Sequence, residues 1–175
     1  MKNLKKLISV IIAVIMLVSS FATVGAADYA EVESTNSYYK AIKVLSGLGI
    51  AKGDNEGNFN PTADVKRSEM VAFVCRMMGE EDIASGSATS AFTDVAANHW
   101  AAGYIAWGVN RGIINGMGDG TFAPDAPVTY QDAVVMIMRA LGFDRVAQRA
   151  ENGGYPGGYM KLASQNKVLS NAGYN

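Results

Sequence analysis

One stretch of this sequence occurs twice, and this duplication constrains the fold more than any other feature. GDNEGNFNPTADVKRSE occupies residues 53–69 and GMGDGTFAPDAPVTYQD occupies residues 116–132, a separation of 63 positions. The same separation carries residues 29–79 onto residues 92–142 without gaps. Because self-similarity at a fixed period indicates a repeated structural unit, the fold should be built from copies of one unit.

A third copy begins after the second. YMKLASQNKVL at 159–169 follows YIAWGVNRGII at 104–114 at a separation of 55 positions, and the sequence ends at Asn175 before another glycine loop. We therefore predict two complete helical hairpins and a third that is only started. The unfinished copy should leave apolar surface exposed on the central helices 70–78 and 133–141, so we expect reduced stability or self-association.

Each complete copy has the pattern of two helices joined by a glycine-rich loop. In the first copy, four apolar residues recur at helical spacing: Tyr38, Ile42, Leu45 and Leu48. Asn36 or Ser37 is a suitable cap for the start of this helix. The second helix, from about Arg67 to Met78, is apolar on almost every side, which is typical of a buried helix. We therefore predict an all-α fold, with the second helices central and the first helices around them.

The N-terminus has the pattern of a secretory signal peptide at residues 1–26. Three lysines precede an apolar run from Leu7 to Val18, and small residues follow before a Val-Gly-Ala sequence. A membrane anchor is the alternative, but the run is shorter than the roughly 20 apolar residues that span a bilayer. We expect cleavage after export, and no membrane association of the mature chain.

Composition excludes several classes of protein for the remaining chain. Without the three signal-peptide lysines, 12 basic residues face 16 acidic ones, a net charge near −4. This balance argues against general nucleic-acid binding, which needs a basic surface. Cys75 is the single cysteine, so an internal disulfide is impossible, and its apolar neighbours indicate a small core residue instead of a reactive thiol.

Residues 92–142 resemble the S-layer homology repeat almost throughout. Phe-x-Asp-Val, His-Trp-Ala, Gly-x-Ile and Asp-Gly-Thr-Phe-x-Pro stand in the order and spacing of that family. Residues 29–79 resemble it more weakly, since Ser37 replaces the Trp found at Trp100. With the partial third copy, the resemblance gives S-layer homology repeats at 27–85 and 86–148 and a partial repeat at 149–175.

The resemblance implies a non-catalytic anchor without a cofactor. Three such repeats commonly form a pseudo-threefold helical bundle, which would here be incomplete. Members of the family hold exported proteins to anionic, often pyruvylated, secondary polysaccharide at the cell wall or S-layer surface. The ligand lies in grooves between repeats, and the Arg of a Thr-Arg-Ala-Glu motif is a recurring contact.

This chain divides that motif between its two copies. Thr-x-x-Glu at a helix start is a capping box, and an Arg inside it lies beside free backbone N–H groups and the positive end of the helix dipole, where a carboxylate is favoured. KRSE keeps Arg67 and Glu69 but has Lys66 in place of the capping Thr. TYQD keeps Thr129 and an acid but has Tyr130 in place of the Arg. The first copy should retain the ligand charge and the second should retain the cap.

These considerations give a set of candidate site residues. The predicted polysaccharide-binding residues are Arg67, Lys66, Gly53, Trp100, Gly116, Thr129 and Tyr130. The predicted structural members of the motifs are Glu69, Asp132 and Asp94. Lys66 has plain solvation as its alternative, Trp100 has core packing, and Tyr130 has loss of the site, which ranks above sugar stacking. Arg139, late in the second central helix, is expected to matter much less to binding.

No catalytic or metal-binding pattern is evident. His99 is the single histidine and Cys75 the single cysteine, so a zinc site or a Ser-His-Asp triad is not expected. Asp54, Glu56 and Asn58 alternate as in a calcium loop, but the Gly and the bidentate acid that an EF-hand needs are missing. Two alternatives stay open: the N-terminal anchor of a longer secreted enzyme or S-layer protein, and a degenerate module that binds a protein partner.

Overall fold

The computed structural model describes residues 29–86 and 91–169 of the chain. The predicted signal peptide lies outside the described residues. The chain divides into two compact units, Met1–Pro61 and Thr62–Asn175. Helices dominate the described residues, and the one β-bridge among them is isolated and joins Lys66 to Pro127. The all-α prediction is therefore confirmed.

The first unit contains one helix, α1, at Tyr39–Gly47. Its small core combines Tyr29, Val32 and Ile42 with the partly buried Tyr39 and Phe59. The predicted stripe is mostly wrong, because Ile42 is the one buried member, while Tyr38, Leu45 and Leu48 are exposed. The core cluster is small and contacts the helix through Tyr39 and Ile42.

The start of α1 also differs from prediction. Tyr38 is the N-cap residue and its side chain makes no capping hydrogen bond. Asn36 Oδ1 instead accepts the backbone N–H of Tyr38 at 2.8 Å. Asn36 therefore stabilises the turn before the helix and does not cap the helix itself.

The second unit contains three longer helices of the predicted hairpins, two short helices that each follow a central helix, and the first helix of the third copy. Their bounds are Arg67–Met77 (α2), Glu81–Ser85 (α3), Ala102–Asn110 (α4), Tyr130–Ala140 (α5), Asp144–Ala147 (α6) and Gly157–Gln165 (α7). The two short helices were not predicted. Each follows a glycine with positive φ that ends the preceding long helix, Gly79 at +70° and Gly142 at +82°.

Two hydrophobic clusters fill the second unit. The larger cluster joins α2 and α4 with Ile113, Ile114 and Phe122, and the other joins α5, α6 and α7. Cys75 is fully buried in the larger cluster, and burial raises the pKa of its thiol to about 11. The prediction that Cys75 is a core residue is confirmed, and a raised pKa disfavours the reactive thiolate.

The ends of the central helices are less well covered. Met77 and Met78 at the end of α2 and Leu141 at the end of α5 are exposed, while the other apolar residues of both helices are buried or half-buried. The predicted apolar exposure is therefore confined to the C-terminal turns. Self-association stays a prediction.

Each long central helix is joined to the next copy by an arginine, an acidic residue and a tyrosine in the same arrangement. In the first junction, Arg76 Nε lies 3.0 Å from Glu81 Oε1, and Tyr104 donates its hydroxyl to the same oxygen at 2.5 Å. The guanidinium of Arg76 also lies over the Tyr104 ring, 5.3 Å from its centroid. This arrangement ties α2, α3 and α4 together.

The second junction repeats the first with Arg139, Asp144 and Tyr159. Arg139 Nε lies 3.1 Å from Asp144 Oδ1, Tyr159 donates its hydroxyl to that oxygen at 2.5 Å, and the guanidinium lies 5.4 Å from the Tyr159 centroid. Because Tyr159 is the counterpart of Tyr104, the third copy is attached to the second as the second is to the first. A helix, α7, therefore lies where the first helix of a third copy was expected, and the partial third repeat stays a prediction.

Candidate functional site: a cleft in the second unit

A cleft of about 600 Å³ opens on the surface of the second unit. Its walls come from the start of α2, residues 113–118 at the beginning of the second-copy glycine loop, one face of α5, and residues between the end of α6 and the first turn of α7. The charged, amide and aromatic side chains that line it are Arg67, Asn115, Asp132, Arg139, Gln148, Tyr155 and Tyr159. Parts of all three copies therefore meet in one cleft.

Arg67 is the first residue of α2 and projects from the first copy onto the second. Its side chain is nearly buried, and the whole residue is 7% exposed. Nε donates to the backbone oxygen of Phe122 at 2.9 Å, and the guanidinium lies 4.8 Å from the Phe122 ring centroid. The backbone and the ring fix the side chain, so its position does not depend on a ligand.

Asp132 continues the contact from Arg67 toward the third copy. Its Oδ2 accepts from Arg67 Nη1 at 3.2 Å, and its Oδ1 accepts the hydroxyl of Tyr155 at 2.5 Å. The hydrogen bond to this carboxylate raises the pKa of Tyr155, because the bond favours the protonated phenol. Arg67, Asp132 and Tyr155 form a polar chain along the cleft.

Tyr155 was missed in the sequence analysis, although a signal was present. It follows Trp100 by 55 positions, the separation that relates the third copy to the second. Tyr155 is 59% exposed, although its hydroxyl is bound to Asp132. An aromatic residue with this exposure can stack on a sugar or another planar group.

Arg139 also lines the cleft, which the sequence analysis did not predict. Its Nη1 donates to the backbone oxygen of Ile113 at 3.2 Å, in addition to its junction contacts. The matching position of Arg76, 63 residues earlier, was the available signal. Arg139 is therefore part of the cleft wall and not a distant arginine.

The starts of α2 and α5 each hold one half of a capping box. Thr129 Oγ1 accepts the backbone N–H of Asp132 at 3.1 Å, which confirms the predicted cap on α5. On α2, Glu69 Oε2 accepts the backbone N–H of Lys66 at 2.8 Å. The Lys66 ammonium has no lone pair and cannot accept in return. Its Nζ instead lies 2.9 Å from Asp125 Oδ1, and this ion pair raises the pKa of Lys66.

The remaining predicted residues lie in different places. Gly116 lines the cleft, and a Cβ there would lie 2.3 Å from the Phe92 ring and 2.6 Å from the Thr121 oxygen, so glycine is required. Asp94 holds the same loop by accepting the N–H groups of Phe122 and Ala123 at 2.9 and 2.7 Å. This is the structural role predicted for Asp94.

Trp100 and Tyr130 are not among the residues that line the cleft, and Gly53 belongs to the first unit. Trp100 is 53% exposed and lies beside His99 and Tyr104, with ring centroids 6.0 and 6.1 Å away, so the core alternative is wrong. Tyr130 is half-buried and packs against the cluster of α5, α6 and α7.

Two general findings concern the part of the chain that the structure describes. No three His, Cys, Asp or Glu side chains in residues 29–86 and 91–169 are grouped so that they could hold a metal ion. Among the helices of these same residues, none has both the length and the apolar composition needed to cross a membrane.

The fold and the cleft define a class: a helical repeat module with a surface cleft where successive copies meet. Residues 32–71 and 91–134 match the S-layer homology domain, and these two segments are S-layer homology domains. The predicted family is therefore confirmed, with the two matches falling on the two complete copies.

Several curated relatives are described as proteins of the cell surface or as anchoring proteins. The chain is 39% identical over 147 residues to a cell surface protein of Thermoanaerobacter kivui, covering 82% of this chain and 19% of that protein. It is 34% identical over 106 residues to a surface layer protein of Brevibacillus choshinensis, covering 60% and 10% respectively. A cellulosome-anchoring protein of Acetivibrio thermocellus is 32% identical over 114 residues, covering 62% of this chain and 26% of that protein.

The chain thus spans about a quarter or less of the length of these relatives. Their descriptions and the two domains indicate a secreted protein at the cell-wall surface, as the sequence predicted. At this level the function is that of a cell-surface anchoring module.

Proposed function

We propose that this chain is a non-catalytic wall anchor that binds an anionic, pyruvylated secondary cell-wall polysaccharide in the cleft of the second unit. The single observation that carries the proposal is the position of Arg67, a nearly buried guanidinium fixed at the wall of an open cleft. A ketal carboxylate of the polymer would bind this guanidinium by charge-assisted hydrogen bonds.

The electrostatics of the chain support a local site. The chain without its predicted signal peptide is net acidic, so general attraction to an anionic polymer is absent and the affinity must come from particular cations. Arg67 and Arg139 are the two cations that line the cleft, and each is paired with one carboxylate, Arg67 with Asp132 and Arg139 with Asp144. The N-terminus of α2, where Arg67 lies, adds the positive end of a helix dipole.

The aromatic side chains support a sugar polymer over a simple anion. Tyr155 is exposed at the cleft, and Trp100 is exposed on the surface of the same unit. Exposed aromatic rings of this kind suit stacking on sugar rings, because they combine an apolar face with a polar edge. The proposed contacts are therefore a carboxylate on Arg67 and a sugar ring on Tyr155, with Trp100 as a further contact on the same polymer.

Two other functions stay as alternatives. The chain covers only part of each relative, so these residues fit the anchor of a longer secreted enzyme or S-layer protein. Tyr130 in place of the motif Arg is the observation that favours the second alternative, a degenerate module that binds a protein partner.

The test is cosedimentation of the protein with purified walls, with and without their secondary polysaccharide. Arg67→Ala should weaken binding about ten-fold or more, because one charge-assisted contact is worth on the order of 1.5–3 kcal/mol. Arg67→Lys should recover only part of this loss, since an ammonium cannot make the planar two-bond contact. Binding should weaken as salt is added.

Arg145→Ala is the matched control. Arg145 lies in α6, is exposed and does not line the cleft, so its removal changes the net charge by the same amount without changing the site. A folded Arg67→Ala protein that binds walls like the native protein would rule out this cleft. Equal binding to walls stripped of polysaccharide would favour the protein-partner alternative.

A further inference from the structure

The acid of the second-copy motif does not lie where the acid of the first copy lies. Glu69 reaches back to the start of its own helix and accepts the N–H of Lys66 at 2.8 Å. Asp132, at the equivalent position and one methylene shorter, accepts from Arg67 and Tyr155 instead. The start of α5 is therefore capped by Thr129 alone, and the carboxylate of Asp132 lies in the cleft.

This placement puts an internal carboxylate on the guanidinium that the proposed ligand would use. Arg67 Nε is already bound to the backbone of Phe122, and Nη1 is bound to Asp132. The ion pair is well shielded, with side-chain exposures of 8% for Arg67 and 23% for Asp132. An incoming carboxylate must therefore displace Asp132 or lie beside it, where two like charges repel.

We propose that Asp132 is a built-in competitor for Arg67, which lowers the affinity of the cleft for carboxylate ligands and selects those with enough further contacts to replace it. Tyr155 holds the competitor in place through its hydroxyl, while its exposed ring stays available for contact with the ligand. This inference rests on the proposed function in taking a sugar-borne carboxylate as the ligand.

The geometry also distinguishes Asp132 from an ordinary structural acid. Its carboxylate does not accept from the backbone of its own helix start, and both of its partners line the cleft. Its removal should therefore change ligand binding by more than it changes the start of α5, which Thr129 stabilises through the Asp132 backbone.

The experiment uses a monosaccharide carrying a 4,6-pyruvate ketal as the probe and its neutral methyl ester as the reference ligand. Asp132→Asn keeps the size of the side chain and removes its charge. We expect this variant to bind the ketal about five- to ten-fold more tightly than the native protein, as a charged competitor is lost. The methyl ester should show no such gain. Asp82→Asn, an exposed acid outside the cleft, is the charge control.

A second variant protects the test against loss of folding. Asp132→Glu should restore the reach to the N–H of Thr129 that Glu69 has to Lys66, and so release Arg67 while completing the cap. Binding should be followed through the side-chain Nε–H resonance of Arg67 by NMR, which reports this guanidinium directly. The resonance should shift with ketal in both variants at lower concentration than in the native protein.

The outcomes separate this inference from the proposed function. If Arg67→Ala loses wall binding but Asp132→Asn binds the ketal no more tightly than the native protein, the anchor function stands and the competitor is overturned. If walls are not bound but Asp132→Asn still gains affinity for the ketal, the wall-binding function fails and the competitor stands. Absence of ketal binding in every folded variant overturns the inference.

Discussion

The two junctions of the second unit are nearly identical, whereas the starts of its two central helices differ. Arg76, Glu81 and Tyr104 make the same contacts as Arg139, Asp144 and Tyr159, with matching distances. At the helix starts, by contrast, Lys66 and Thr129 occupy equivalent positions with different roles. Lys66 forms an ion pair with Asp125, whereas Thr129 accepts the backbone N–H of Asp132 and caps its helix. The contacts that hold successive copies together are therefore the same at both junctions, whereas the contacts at the helix starts beside the cleft differ between the two copies.

The difference follows from how much of each set of contacts is buried. A junction residue touches a partner in the next copy, so a change on one side leaves a partly buried charge without its partner, which is costly. A helix start is half in solvent, so Lys66 can lose the capping role and find an exposed ion pair with Asp125 instead. A change at a helix start should therefore cost less stability than a change at a junction.

The junctions also share a steric requirement, which gives the largest predicted effect. A Cβ on Gly103 would lie 2.3 Å from the backbone oxygen of Ala84, and one on Gly158 would lie 2.2 Å from that of Ala147. Gly103→Ala and Gly158→Ala should each lower the free energy of unfolding by about 2–3 kcal/mol, as expected for overpacking against backbone that cannot move aside. Denaturant unfolding is the measurement.

Gly157→Ala is the control for this pair. Gly157 is also in α7, but nothing lies within 4 Å of an added Cβ, and its second-copy counterpart is already alanine at Ala102. This variant should be as stable as the native protein or slightly more stable, because alanine is the better helix former. If Gly158→Ala matches Gly157→Ala, the two junctions are not equivalent in their packing.

Much of the fold was predictable because the repeat separation transfers the pattern of one copy to the next. The central helices, their order and the buried Cys75 all followed from periodicity and apolar content. The exposure of Leu45 and Leu48 did not, since helical spacing shows that residues share a face but not that anything covers it. The short helices α3 and α6 are too brief to produce a periodic signal.

The site was predictable only in part. The motif identified Arg67 and the Thr129 cap, because both depend on local sequence at a helix start. Tyr155 and Arg139 enter the cleft through tertiary packing, and recognising them required carrying the repeat separations onto positions outside the motif. No local pattern indicates that an aspartate, being one methylene shorter than glutamate, turns from its own helix to Arg67.

The second prediction tests the divided cap. Thr129→Ala should cost about 1 kcal/mol of unfolding free energy, because the N–H of Asp132 loses its acceptor. Lys66→Thr should gain a similar amount by completing the capping box with Glu69, since the exposed ion pair that it removes is worth little. If neither change alters denaturant unfolding, the two helix starts do not differ in stability.

The smallest effect concerns the acid of the second junction and its dependence on pH. Hydrogen bonding from Tyr159 is the largest cause that lowers the pKa of Asp144 below its ordinary 3.8, with Gln148 and Arg139 contributing. Because the folded pKa is below the unfolded one, the ionised carboxylate stabilises the fold above about pH 4, and this stabilisation is lost as the pH falls through the folded value. Asp144→Asn should therefore be less stable than the native protein near neutrality, and the difference should shrink in acid.

Unfolding free energies measured from about pH 6 down to about pH 2 would show this convergence, with Asp64→Asn as an exposed control. A difference that stays constant over the whole range would mean that the Asp144 charge does not hold the second junction. The same series for Glu81→Gln would then decide whether the first junction differs from the second despite its matching distances.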